Sequence, residues 1–518
     1  TGVYYKKDYS DGVDISRYKN IPVPTSYMAE KSKYDFVGGY DYQKKAGILH
    51  VADHHISPGK KQWTWGCGDF GKAWDRNLTD EDGPYVQLMT GVYTDNQPDF
   101  TWLKPFEEKT FQQYFMPYKA VGQVKNATIN AAVNMTAKDG KVKVTVYATG
   151  KHMAKVNVTY DGNTLLEEEA LISPTDIFEK EITYAVEDET KLSVCVTEGG
   201  QTLVAYTQEK NEIEKHPYPA EAVAEPDKIA TVEELYLAGL HIEQYRHATY
   251  LPDPYYLEAL KRDPGDIRTN NAYGTLLMRR CNFAEAKKYL EKALERMTKR
   301  NPNPYGSEAY YNLGLVKLFL GDKDGAYDDF FKATWSNEQQ EMSFYYLAAI
   351  DARKGAFAHG LEMIDKGLVK NAHNIKARGL NVYRLRKLGR TEEAKVLAAE
   401  NLALEPFDFM TGNEMAIIAD SAAQRKELNV LMRDFAQNYL MTARDYAEAG
   451  AYAEAVELLD DCKSATPLVR YYQAYYLEKM GNPKEAEAKV AQAEKMSPDY
   501  CFPNKMEDVP VLRYAAGR

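Results

Sequence analysis

Apolar and polar positions along the chain change their period, and each period predicts a different kind of element. In Lys141-Val-Lys-Val-Thr-Val-Tyr147 they alternate, which places one side of a strand in a core and the other in water. Asp161-Gly162 and Gly199-Gly200 lie between such runs and supply the positive φ angles that tight hairpin turns require. Strands at short spacing with turn signals between them predict a sandwich over residues 1–208. Near residue 122 an aromatic-rich, irregular stretch gives way to plain Val/Thr alternation. Two β layers or subdomains are therefore expected, 1–122 and 123–208, meeting around 122–126. Residues 209–230 are polar and contain Pro217, Pro219 and Pro226, which is linker composition.

At Thr231 the period becomes helical. Thr231 and Glu234 have the spacing of a capping box, in which each side chain bonds the other's backbone amide. Small residues then recur as they do in tetratricopeptide hairpins, where two helices cross closely and Pro closes the second. The first unit carries Ala259 and Pro264, the second Gly274, Ala286 and Ala293, the third Gly314, Ala326, Phe330 and Ala333. A degenerate unit runs from Ala348 to Gly367. Ala394 with Pro406, Ala455 with Pro467, and Ala486, Ala493 and Pro498 mark the rest. Successive registers differ by 34, 40, 34 and 34 residues over the first five units, the 40 reflecting an insertion at Lys299-Arg-Asn-Pro-Asn-Pro304. Residues 407–435 are expected to add one irregular hairpin. Such an array offers a concave surface to a peptide or neighbouring domain, or else serves as a rigid buttress.

A chain of 518 residues is too long for one core, in keeping with this division. The net charge of −11 argues against nucleic acid and anionic membranes, both of which reward a basic surface. No uninterrupted apolar run approaches the roughly 18 residues of a membrane-spanning helix. The five cysteines are scattered without ligand or disulfide spacing, which favours a reducing compartment. Sequons at Asn77, Asn126, Asn134 and Asn157 arise easily by chance in an Asn- and Thr-rich segment. The chain opens on Thr1-Gly-Val-Tyr without Met or a leader pattern, so it is expected to be a fragment or a processed product.

Candidate chemistry concentrates in residues 50–106. Trp63, Trp65, Trp74 and Trp102 lie there with His54, His55, Asp75, Asp82, Asp95, Asn96, Gln97 and Asp99. Aromatic faces beside amides and carboxylates suit a sugar ring, whose C–H face stacks while its hydroxyls need donors and acceptors. The alternative is a set of aromatics filling a sheet core. As a strand, Tyr85–Tyr93 puts Val86, Leu88, Thr90 and Val92 on a core face and Tyr85, Gln87, Met89 and Tyr93 on the other. Lys61, Trp63 and Trp65 share one face after the Ser57-Pro-Gly59 turn. His54 and His55 are candidate acid–base residues, of which only one can face a cleft if they lie in a strand. Glu81 and Asp82 form either a carboxylate pair or a solvated turn. His241 and His247 are read as packing or capping residues. No GxSxG, HExxH or phosphate-binding glycine loop occurs, and neither metal nor cofactor is expected.

The segments His50-Val-Ala-Asp-His-His-Ile-Ser-Pro-Gly-Lys-Lys-Gln-Trp-Thr-Trp-Gly66, Leu78-Thr-Asp-Glu-Asp-Gly-Pro-Tyr85 and Thr90-Gly-Val-Tyr-Thr-Asp-Asn-Gln-Pro-Asp-Phe100 carry a further signal. The chain resembles a bacterial family that joins a galactose-mutarotase-like β-supersandwich to tetratricopeptide repeats. That resemblance implies carbohydrate binding and His/Glu acid–base chemistry on a concave sheet, epimerase-like or glycoside-processing. It also implies that the sandwich begins upstream of Thr1, where the catalytic His would lie. Gln87 stands where the family pattern has Glu, and an amide cannot take a proton at neutral pH.

The expected fold class is thus multidomain α and β. An antiparallel β-sandwich, a partial mutarotase-like supersandwich plus a second layer, precedes a linker and an all-α repeat superhelix over 231–518. The leading functional expectation is a carbohydrate-binding or carbohydrate-processing protein. In it Trp63, Trp65, Trp102, Asp95, Asn96, Gln97 and Asp99 hold a saccharide, with Gln87, His54, His55 and Asp82 as catalytic candidates. The alternative is a non-enzymatic scaffold whose repeats bind a protein partner. A cytoplasmic location is expected, with export as the alternative.

Overall fold

The computed structural model describes residues 2–3, 9–10, 13–29, 32–79, 82–92, 103, 107–209 and 221–517. They form two compact units, a β unit up to Ala222 and a helical unit from Val223 onward. Antiparallel sheets make up the first and tetratricopeptide-like hairpins the second.

In the β unit the strands are β1 (Gly2–Val3), β2 (Tyr9–Ser10), β3 (Val13–Asp14), β4 (Thr25–Met28), β5 (Phe36–Asp41), β6 (Ala46–Val51), β7 (Gly59–Thr64), β8 (Val86–Gly91) and β9 (Tyr114–Lys119). Helix α1 (Asp69–Leu78) separates β7 from β8. One sheet has the order β1-β4-β7-β8, another β5-β6-β9, and β2-β3 is a hairpin; among the described residues only the short β1–β4 pair is parallel. Then follow β10 (Asn126–Ala127), β11 (Ala131–Lys138), β12 (Lys141–Ala148), β13 (His152–Tyr160), β14 (Asn163–Ile172), β15 (Phe178–Thr183), β16 (Leu192–Glu198) and β17 (Gln201–Thr207). These pair as two four-stranded sheets, β10-β11-β12-β15 and β14-β13-β16-β17.

The alternation read at Lys141–Tyr147 has a direct structural counterpart. Val142, Val144 and Val146 are fully buried against Val156, Val158, Val194 and Val196 of the facing sheet. Lys141 and Lys143 point outward to Glu181 and Glu179 of β15, at 2.6 and 3.0 Å. Asp161 and Gly162 adopt φ of 50° and 81°, and Gly199 and Gly200 of 55° and 85°, closing the two hairpins. The aromatic-rich layer shares a core with the regular one. Leu49, Met116, Tyr118 and Val121 pack with Ala132 and Tyr147, whose hydroxyl donates to the Pro117 carbonyl at 3.1 Å.

Among the described residues the helical unit is eight hairpins and a last helix. In order they are α2 (Val232–Tyr245) with α3 (Asp253–Arg262), α4 (Ile267–Arg279) with α5 (Phe283–Thr298), α6 (Glu308–Leu320) with α7 (Lys323–Ala333), and α8 (Gln340–Arg353) with α9 (Phe357–Lys370). Then come α10 (Ile375–Lys387) with α11 (Thr391–Leu404), α12 (Phe409–Ala419) with α13 (Ala422–Met432), α14 (Ala436–Glu448) with α15 (Tyr452–Asp460), and α16 (Pro467–Lys479) with α17 (Pro483–Ala493). Helix α18 (Asp508–Ala516) packs on α16. The Thr231/Glu234 capping box forms in full. A Cβ at Gly314 would lie 2.9 Å from the Phe330 ring, and Ala259, Ala286, Ala326, Ala394, Ala455 and Ala486 are fully buried. Close crossing is therefore the reason for the small residues. Pro467 differs from the reading as a helix exit: it opens α16.

Residues 223–230 correct the linker expectation. Val223 and Ile229 pack on Leu235, Ile242 and Tyr255, and Arg262 donates to the carbonyls of Pro226, Ile229 and Ala230. Apolar Val223 and Ile229 set among the prolines are what anchor this stretch. Residues 210–220 lie outside the described residues.

Two buried charges interlock successive hairpins. Arg384 of α10 is fully buried and donates to the carbonyls of Ala348, Ala356 and Phe357, tying the α8–α9 turn to the next unit. Its guanidinium fills the space over Gly360, where a Cβ would overlap it. Glu414 of α12, also fully buried, accepts from Arg386 of α10 and from the Tyr446 hydroxyl of α14 at 2.8 Å. Removing one partner of such a set strands the other without water.

Gly360→Ala is expected to lower stability by about 1–3 kcal/mol through overpacking against Arg384. In an Arg384→Ala background the same change should be neutral or favourable, since Ala exceeds Gly in a helix by about 1 kcal/mol. Urea denaturation of the four proteins in this cycle measures the coupling.

Candidate functional site

The β7–β8 ladder brings Trp63 opposite Gln87 and Lys61 opposite Met89, so these side chains share one face. Gln87 is half-buried there, and its Nε2 donates to the Tyr85 hydroxyl at 2.6 Å. Trp63 meets Trp65 edge to face at 4.5 Å between ring centroids and Tyr85 at 6.2 Å. Trp65 is also stacked on Trp74 of α1, at 4.5 Å and 6°. A second device fixes α1: Asp75 accepts from the Tyr85 amide at 3.0 Å and the Tyr18 hydroxyl at 3.3 Å. Gly71 allows the helix to approach the Gly66 carbonyl, which a Cβ would overlap. One face of Trp65 is thus occupied by packing, and Trp63, Trp65 and Gln87 are all half-buried.

The core face expected on this strand needs correction. Val86 is 38% exposed, and Leu88, Thr90 and Val92 are only half-buried. Asp82 is exposed before the strand. Glu81, Tyr93, Asp95, Asn96, Gln97, Asp99 and Trp102 lie outside the described residues.

His54 and His55 sit in a turn after β6 and not in a strand, so the alternation rule does not separate them. Their rings lie 4.0 Å apart. Asp35, just before β5, binds His54 twice through one oxygen, the backbone N donating at 2.9 Å and Nδ1 at 2.7 Å. Burial works against the Asp35 charge, but the His54 bonds prevail and hold its pKa below the ordinary value.

Close by, Lys60 is buried and its amine donates to the Ser32 hydroxyl and the Tyr34 carbonyl. Burial lowers its pKa to about 8, against the attraction of Asp35. It lines a cleft of about 510 Å³ with Tyr27, Tyr34, Gln62, Tyr206 and Glu209.

In the helical unit, first helices of different hairpins converge on one polar surface. Tyr345 of α8 donates to Glu448 of α14 at 2.7 Å, and Lys376 of α10 pairs with Asp445 at 2.7 Å. Tyr311 of α6 lies 6.3 Å from Tyr346 of α8. Arg444 bonds the Tyr472 hydroxyl at 2.9 Å and Asp508 of α18 at 3.1 Å. Desolvation, with Asp445 adding and Lys376 opposing, pushes Glu448 up to about 7. Burial disfavours the Lys376 charge, yet Glu448 and Asp445 hold its pKa above the ordinary value. Sequence reading missed this group, for its members are scattered over the repeats without a local motif. His247 meanwhile acts as a cap, its Nδ1 accepting from the Tyr250 amide at 2.9 Å.

Comparison with known proteins divides the chain in a similar order. Residues 5–125 match a family described only as a domain of unknown function, DUF5107, and residues 126–206 match the second domain of YphG-like protein. Residues 266–328 match the tetratricopeptide repeat. The helical half of the resemblance is thereby shown; none of the three descriptions names a mutarotase. Among solved structures, a tetratricopeptide repeat protein from Parabacteroides merdae ATCC 43184 is 15% identical, covering 55% of this chain and 98% of its own, with TM-score 0.35. MamA protein is 21% identical over 34% of this chain and 92% of its own, with TM-score 0.30. YrrB, described as a TPR protein with an unusual peptide-binding site, is 17% identical over 45% and 96%, with TM-score 0.28. No helix among the described residues is long and apolar enough to cross a membrane.

Lys60 gives a pH signature. Its folded pKa of about 8 lies below the ordinary 10.5, so the folded state binds fewer protons between those values. Stability should therefore rise as pH climbs from about 8 to 10.5, and Lys60→Met should flatten that rise. Denaturation midpoints across that range measure it.

Proposed function

We propose that the chain is an interaction protein whose repeats hold a segment of a protein partner along the first-helix surface. The observation that carries this is the convergence of half-buried Tyr311, Tyr346, Asp445 and Glu448 and exposed Lys376 from four helices. Four carboxylates (Asp445, Glu448, Glu507 and Asp508) stand there against two cations, Lys376 and Arg444, within electrostatic reach of one another. Tyrosine faces beside surplus carboxylate favour a segment bearing Lys or Arg, through charge-assisted hydrogen bonds and cation–π contact. The match of residues 266–328 to tetratricopeptide repeats supports the same reading.

A second reading concerns the β unit. Trp63, Tyr85 and Gln87 on one face support a saccharide ligand, in line with the galactose-mutarotase-like resemblance of residues 1–122. Gln87 then hydrogen-bonds a sugar hydroxyl without taking a proton. The cysteines among the described residues are free, which agrees with a reducing, cytoplasmic setting.

Labelled Lys/Arg-rich, neutral and Glu-rich peptides titrated against the full chain should show preference for the basic set, weakening with salt. Asp445→Asn with Glu448→Gln should reduce that binding by about tenfold or more, as expected for a lost charged hydrogen bond. Equal binding of all three sets would overturn the reading. For the β unit, tryptophan fluorescence should respond to a member of a neutral and acidic sugar panel, and Trp63→Ala should abolish the response.

A further inference from the structure

We propose that the turn Asp53-His54-His55 binds a divalent transition-metal ion of the zinc class, with Asp35 as the positioning residue behind His54. Each of the three residues offers one ligand atom, and these atoms all lie within 4.8 Å of one another. Consecutive residues on a strand would point to opposite faces, but this segment is a turn, and the two imidazoles lie 4.0 Å apart at 36°.

The geometry around His54 has a ligand's orientation. Asp35 is an anion, so Nδ1 of His54 is the donor in their 2.7 Å bond. That fixes the tautomer and leaves the Nε2 lone pair directed away from Asp35, the arrangement in which a carboxylate orients and strengthens a metal-bound imidazole. The same Asp35 oxygen also accepts from the His54 backbone N at 2.9 Å, so the carboxylate that orients the ring is itself fixed to the turn. Asp53 uses one oxygen to accept from the His55 amide at 2.8 Å, which shapes the turn and leaves the other for a cation.

Two imidazole nitrogens and one carboxylate oxygen select zinc, cobalt, nickel or copper over magnesium or calcium, which prefer oxygen alone. Ligands bonded at about 2.0–2.1 Å around a tetrahedral ion stand roughly 3.3 Å apart, so the ligand atoms must draw in by up to about 1.5 Å. Asp53 and His55 are exposed, and side-chain rotation suffices for that. The same exposure leaves the fourth position to water. This site is independent of the repeat surface.

The test uses the full chain without an affinity tag, stripped with EDTA and titrated by calorimetry with Zn²⁺ and by visible absorption with Co²⁺. One ion per chain at micromolar concentration is expected, with no comparable response to Mg²⁺ or Ca²⁺. His55→Ala, at an exposed position that leaves the fold intact, should weaken binding at least tenfold, and His54→Ala likewise. Asp35→Asn should weaken it by about 10–100-fold while the metal-free protein still unfolds in a cooperative thermal transition. His152→Ala and His359→Ala should have no effect. Unchanged affinity in His55→Ala, an equal loss in either control, or no binding at micromolar ion would overturn the assignment.

Discussion

The helical unit depends on paired helices packing so closely that only a hydrogen or a methyl group fits where they cross. Gly274 faces Leu290 and Gly314 faces Phe330, each at a distance where an added Cβ would press on the neighbour by several tenths of an ångström. Because each hairpin closes this tightly, the first helix of the next lies along it, and the pattern propagates without a central core. That stacking lets Tyr345 reach Glu448, 103 residues away in the chain. A surface made this way inherits the rigidity of the hairpins beneath it.

Repetition alone leaves the register between hairpins weakly specified, since apolar contacts are non-directional. Arg384 and Glu414 add direction. Arg384 reads the carbonyls at one turn through a guanidinium fork, and Glu414 joins α10, α12 and α14 through charged hydrogen bonds. These are costly to bury unless every partner is present, so they favour one arrangement over its neighbours.

In the β unit one set of aromatics serves two ends. Trp65 and Trp74 pin α1 to the sheet, and with Asp75 they keep Tyr85 and Gln87 in place beside Trp63. The residues that read as a ligand platform are thus also the packing that would support one. The His54–His55 turn is organised separately, from Asp35 at the start of the neighbouring strand.

Much of the architecture was legible in the chain itself. The Val/Thr alternation, the Asp161-Gly162 and Gly199-Gly200 turns, the Thr231/Glu234 cap and the small residues of the hairpins are local codes, written within one or two turns of backbone. The site was legible only in part. Lys61, Trp63 and Gln87 were placed on common faces by period two, but the pairing that sets Trp63 opposite Gln87 is a matter of sheet register, which no local pattern states. The anchoring of residues 223–230 was hidden by Pro226 and the polar residues around it. Asp35 with His54, Lys60 with Tyr34, and Lys376 with Asp445 were decided by tertiary structure alone. Periodicity tells which face of an element is buried; sheet register and hairpin stacking decide which distant side chain that face will meet.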